Sequence, residues 1–87
     1  MAQITTDNLE KEIRSIVAEI LEIDEEKVTP NAKFAEELGM DSMMALEILS
    51  SVEKKYKIKI SEEYLTKVTT LNSTIEIAKR LIAKSKL

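Results

Sequence analysis

The sequence predicts an all-α fold: a small bundle of three long helices plus one short helix, with a long loop between the first and second helices. Two observations carry that expectation. Ala, Leu, Ile, Glu and Lys dominate, while Gly39 and Pro30 are the only glycine and proline among 87 residues, so little interrupts regular structure. Apolar residues also recur at helical spacing near the start, in the middle and near the end of the chain. A chain of 87 residues buries one small core and is too short to enclose a conventional catalytic cleft as well, so residues 1–87 are expected to form a single domain.

The first helix is set by Leu9, Ile13, Ile16, Val17, Ile20 and Leu21 on one face, with Glu12, Glu19 and Glu22 elsewhere around the axis. Thr6 or Asp7 can accept from the orphan amides of its first turn, and Glu10 stands three residues after Asp7. From Ile23 to Met40 the periodicity fails, and both breakers, Pro30 and Gly39, lie there. Val28, Phe34 and Leu38 can anchor this segment, so a packed loop with one helical turn is expected. A second helix is expected from about Ser42 to Tyr56, with Asp41 as its N-cap and Gly39 relieving the turn before it. Ala45, Ile48, Leu49, Val52 and Tyr56 share its core face, and Met43, Glu47, Ser50 and Lys54 point the opposite way.

Tyr56 to Ile60 alternates apolar and basic residues, but five residues without a partner strand make a poor sheet, so an extended connection is expected. Ser61, followed by Glu62 and Glu63, caps a short third helix through about Lys67. Thr69-Thr70 reads as a break. Asn72 or Ser73 is the expected cap of the last helix, whose stripe is Ile75, Ala78, Leu81 and Ile82, and Lys79, Arg80, Lys84 and Lys86 suit its negative dipole end.

The chain has no cysteine and no histidine. That removes disulfides, thiolate metal sites, and the commonest general base and metal ligand. No Ser-Lys or paired-carboxylate spacing stands out, so catalysis by the chain alone is not expected. Met1 to Asn8 lack a basic n-region and an apolar h-region, and no apolar run approaches membrane-spanning length, so the chain is expected to be soluble and cytoplasmic. The net charge of −3 is unevenly placed: Met1 to Glu47 holds 12 acids and 4 bases, and Ile48 to Leu87 holds 4 acids and 9 bases. Lys54, Lys55, Lys57 and Lys59 crowd around Tyr56, but a lone aromatic without a stacking series points to a solvated basic surface rather than nucleic acid.

The informative window is Glu37-Leu38-Gly39-Met40-Asp41-Ser42-Met43-Met44-Ala45-Leu46-Glu47-Ile48-Leu49. An Asp-Ser pair alone is an ordinary helix cap. In this setting it closely resembles the signature of the acyl carrier proteins, the phosphopantetheine-binding carrier family, in which a Gly-x-Asp-Ser-Leu-like motif opens the second helix. The resemblance covers nearly the whole chain, through the long loop, the short third helix and Thr69-Thr70-Leu71 before the last helix. It implies that Ser42 receives 4'-phosphopantetheine from coenzyme A through a separate phosphopantetheinyl transferase using magnesium. Asp41 resembles the adjacent acid that helps place that magnesium. The arm's thiol then holds acyl groups as thioesters, so the chain is a substrate and partner of other enzymes rather than an enzyme.

Met43 lies about 160 degrees from the core face of the second helix, where an isolated fold favours a polar residue, so it is expected to meet partners. Met44 is partly outward, Glu47 is the expected partner-contact acid, and Met40 is expected to pack in the loop. The expected partners are the transferase, an acyl-loading ligase or transferase, and synthase enzymes, with no nucleic acid, no membrane span and a monomeric protein. The helix is less acidic than in many fatty-acid carriers, and Met-Asp-Ser-Met-Met-Ala-Leu-Glu also looks like polyketide-synthase carriers. A fatty-acyl or polyketide-type carrier is therefore the first reading. The second is an aminoacyl, D-alanyl-like carrier, some of which have Asp-Ser-Met at the site. From another class, an unmodified helical adaptor would use Met43, Met44 and Glu47 without a prosthetic group. A small hydrolase using Ser42 would lack a base.

Overall fold

The structure, a computed structural model, describes the backbone of residues 6–85 and the side chains of residues 8–84. The capping expected of the Thr6 or Asp7 side chain, and the contribution expected of Lys86, lie outside the described residues. Helix α1 spans Thr6–Leu21 and buries Leu9, Ile13, Val17, Ala18 and Leu21. It stops where Glu22 turns left-handed at φ 57°, and there Ile23 N–H donates to Ala18 O at 3.0 Å and Glu22 N–H to Glu19 O at 3.3 Å. These are the two bonds that close a Schellman C-cap.

The long connection is more ordered than the sequence implies. It holds a 3₁₀ turn at Glu25–Lys27 and then helix α2, Phe34–Leu38, where one helical turn was expected. Neither has a periodic stripe; each is held by single anchors. Val28 and Phe34 are fully buried, and Arg14 on α1 donates its Nε–H to Val28 O at 2.9 Å while Nη2 meets Glu10 at 2.8 Å. Further along, Phe34 N–H donates to Thr69 O at 2.8 Å and Asn72 N–H to Pro30 O at 3.2 Å. The loop is thus stitched to the start of the last helix. Gly39 ends α2 at φ 76°, and Met40 N–H donates back to Phe34 O at 2.9 Å. That left-handed turn is where glycine is needed.

Helix α3 spans Ser42–Tyr56, as expected, with Ala45, Ile48, Leu49 and Val52 in the core. Tyr56 is only half-buried, and its O–H donates to the Glu12 carboxylate of α1. Glu12 is therefore a tether between helices rather than a free surface acid. Lys57 closes the helix at φ 56°. Ile58 and Ile60 then turn inward while Lys57 and Lys59 stay exposed, which is the expected extended connection, and Glu53 accepts from Ile60 N–H at 2.6 Å.

The short third helix is a 3₁₀ helix, Glu62–Lys67, and Ser61 Oγ accepts from Glu63 N–H at 3.5 Å. Helix α4 spans Leu71–Ser85, starting earlier than expected. Thr70, read from the sequence as part of a break, is its cap: Ser73 N–H donates to Thr70 Oγ1 at 3.1 Å and Thr70 N–H to Ser73 Oγ at 3.0 Å. This reciprocal pair corrects the expected cap at Asn72 or Ser73, because Ser73 occupies the third helical position of a capping box. Asn72 instead donates its amide to Asn31 Oδ1 at 3.1 Å, across to the loop. Ile75, Ala78 and Ile82 of the expected stripe are buried and Leu81 is half-buried, while Ile77 is buried as well.

Three long helices and the short 3₁₀ helix enclose one core running from Leu9 to Ile82, and no strand occurs among the described residues. The all-α bundle expected from the sequence is the observed fold.

Candidate functional site

The site is built by how α3 begins. Gly39 reverses the chain after α2, so Asp41 enters extended at φ −113° and its Oδ1 accepts from Met44 N–H at 2.9 Å. A side-chain oxygen taking a first-turn amide is what makes Asp a strong N-cap. Ser42 is then the first residue of α3 and is exposed. Its hydroxyl lies where first-turn amides and the helix dipole favour negative charge.

Around Ser42 the sequence-derived site residues sort by exposure. Met43 is 70% exposed, the largest outward apolar surface of the described residues. Glu47 is exposed, as expected, and Met44 is half-buried against the core, as is Met40 in the loop. Leu46 is 41% exposed as well. Its place on the wheel, about 60 degrees from Met43, carried that signal. Met43 and Leu46 therefore form one apolar strip one residue beyond Ser42.

A groove opens beside the serine, lined by Ala35, Met40, Asp41, Ser42, Ala45, Leu65 and Thr66. It shares Ala35, Met40, Leu65 and Thr66 with an adjoining hollow that reaches Lys33, Val68 and Thr69. The structure thus places an exposed hydroxyl at one end of a mostly apolar trough between α2 and the 3₁₀ helix. A long, flexible group with apolar and amide parts fits such surroundings.

Ser42 thus stands exposed on the first turn of α3, on a small bundle whose sequence has no histidine or cysteine. The family described as "Phosphopantetheine attachment site" matches residues 11–77, and the chain belongs to that family. The chain is 44% identical over 78 residues, 88% of its own length and 90% of the relative's, to Polyketide-8 synthase acyl carrier protein 2 of Streptomyces avermitilis. Its fold matches the HMG-ACPI domain of the CurA module of Lyngbya majuscula with TM-score 0.79 and 22% identity, covering 98% of this chain and 86% of that one. A free-standing peptidyl carrier protein from an Acinetobacter baumannii secondary metabolic pathway matches with TM-score 0.75 and 25% identity, covering 86% of this chain and 92% of that one. The chain is an acyl carrier protein, a carrier and not an enzyme, of a family that holds 4'-phosphopantetheine covalently on a serine. Among the described residues no helix is long and apolar enough to cross a membrane.

Proposed function

We propose that Ser42 is the serine that takes the phosphopantetheine arm, and that the chain carries acyl groups of polyketide type. The observation that carries the site is the exposed Ser42 hydroxyl on the first turn of α3, held by the Asp41 cap. When bound, the arm supplies the thiol that this cysteine-free chain lacks, and so a place for an acyl thioester. The chain's own residues do the presenting. Ser42 offers the hydroxyl, first-turn amides favour the phosphodiester, and Asp41 keeps one carboxylate oxygen on Met44 N–H while the other stays available to a transferase-bound cation.

Met43, Met44 and Glu47 form the proposed partner surface, with Leu46 added by its exposure. Its partners are the phosphopantetheinyl transferase, a loading ligase or transferase, and synthase enzymes. The proposed carrier is a single unit over residues 1–87, a monomer, and works in the cytoplasm, where coenzyme A donates the arm. Polyketide rather than fatty-acid cargo is supported by the 44% identical relative, a polyketide synthase carrier. The likeness to a peptidyl carrier supports an aminoacyl cargo less, at 25% identity.

The test is intact-protein mass after incubation with coenzyme A and a broad-specificity transferase. The expected result is one added phosphopantetheine on the wild type and none on Ser42→Ala. An unchanged wild-type mass would leave the unmodified adaptor reading in place, and a loaded Ser42→Ala would remove Ser42 as the site.

A further inference from the structure

We propose that Met43 is a peroxide-sensitive modification site whose oxidation slows loading of Ser42; this rests on the reading of Ser42 and its neighbours as the loading and docking site. The chain has four methionines and no cysteine, so its own sulfur chemistry is confined to thioethers. The structure distinguishes sharply the three that lie among the described residues, Met40, Met43 and Met44. Met43 is 70% exposed, whereas Met40 and Met44 are half-buried and packed against the core. Thioether oxidation follows access to the oxidant, so Met43 reacts ahead of both.

The chemistry is a two-electron oxygen transfer. The Met43 sulfur attacks one oxygen of a hydroperoxide, a sulfur–oxygen bond forms as the oxygen–oxygen bond breaks, and the leaving oxygen departs, with a proton, as water or an alcohol. The thioether is oxidised to the sulfoxide and the peroxide is reduced. No other reactant is required, and a sulfoxide reductase reverses the change.

The consequence follows from position. Met43 is the residue after Ser42 and continues into the exposed Leu46, 41% of whose surface is open. A partner that approaches the Ser42 hydroxyl must cover this strip and remove its water. A sulfoxide oxygen is a strong acceptor, and covering it without a donor is unfavourable. The same change at Met40 or Met44 would strike packing, and would loosen the fold rather than the encounter. At Met43 the side chain touches little of the core, so the modified protein keeps its bundle.

The experiment treats the apo protein with dilute hydrogen peroxide, maps the added oxygen by peptide mass, and follows loading by coenzyme A and transferase. The expected result is oxygen on Met43 before Met40 or Met44, unchanged helical circular dichroism, and loading slowed roughly tenfold, restored by methionine sulfoxide reductases. Met43→Leu, compared with its own untreated rate, is expected to be insensitive to the treatment. The proposal is overturned if Met40 or Met44 is oxidised as early, if oxidised wild type loads at the untreated rate, or if treated Met43→Leu slows as much as wild type. Untreated wild type that never loads would instead remove the carrier reading, and with it the effect on loading proposed here.

Discussion

At Asp41 two roles share one carboxylate, and substitution separates them. Its Oδ1 caps α3 through Met44 N–H, while the proposed loading role needs its charge. Asp41→Ala is expected to lower stability by about 1 kcal/mol in urea denaturation, the usual cost of a lost cap. Asp41→Asn keeps a capping oxygen, so its stability should stay within a few tenths of a kcal/mol, while its loading by transferase falls. Equal loading of the Asn variant and wild type would confine Asp41 to the cap. Tyr56 makes a different residue-scale prediction. Burial first, and then its hydrogen bond to Glu12 and that group's charge, push the phenol well above its ordinary value. Below about pH 10, the unfolded value, both states keep the proton and the stabilisation is fully present. Above it the unfolded chain releases the proton and the folded chain retains it, so stability falls as pH rises. Tyr56→Phe, melted alongside wild type through that range, is expected to show the shallower decline, since the lysines are common to both.

Among the elements, legibility followed periodicity. Helix α3 was readable in its extent and face, because Ala45, Ile48, Leu49 and Val52 mark the buried side and Asp41 caps the start, while the left-handed Lys57 that ends it carried no sequence signal. The loop was not, because α2 is only five residues, Phe34–Leu38, and buries a single side chain, Phe34. A helix that short has no repeat to detect, and its position depends on Thr69 O, a partner far along the chain. The cap of α4 was missed for a related reason: Thr70 and Ser73 bond each other, and two adjacent threonines read equally well as a break. At the site, the Asp41 cap and the exposure of Met43 were legible from the helix start and the helical wheel, and the exposure of Leu46 could have been read from the same wheel, about 60 degrees from Met43. The turn between α2 and α3 gives the element-scale prediction. A Cβ on Gly39 would meet nothing within 4 Å, so Gly39→Ala introduces no clash. Its cost is the left-handed backbone at φ 76° alone, about 1 kcal/mol of stability. A much larger loss in thermal or urea unfolding would mean that the turn is held more tightly than its open surroundings indicate.

Across the whole molecule, one small core serves both the bundle and the placement of Ser42, so a core change should be felt at the site. Phe34 joins the two. Its side chain is fully buried, its N–H donates to Thr69 O at 2.8 Å, and its carbonyl accepts from Met40 N–H at 2.9 Å, two residues before Ser42. Phe34→Ala is expected to cost about 3–5 kcal/mol by loss of burial and creation of a cavity. A domain of this length holds only about 5–10 kcal/mol in total, so the variant should be close to its unfolding transition at moderate temperature. Phe34→Leu fills most of the volume and is expected to lose less, keeping the fold for a loading assay. If the loop is the lever that sets the start of α3, Phe34→Leu loads more slowly than wild type even where circular dichroism shows a full complement of helix. Loading at the wild-type rate in a measurably destabilised Phe34→Leu would instead mean that Gly39 and the Asp41 cap position Ser42 without help from the core.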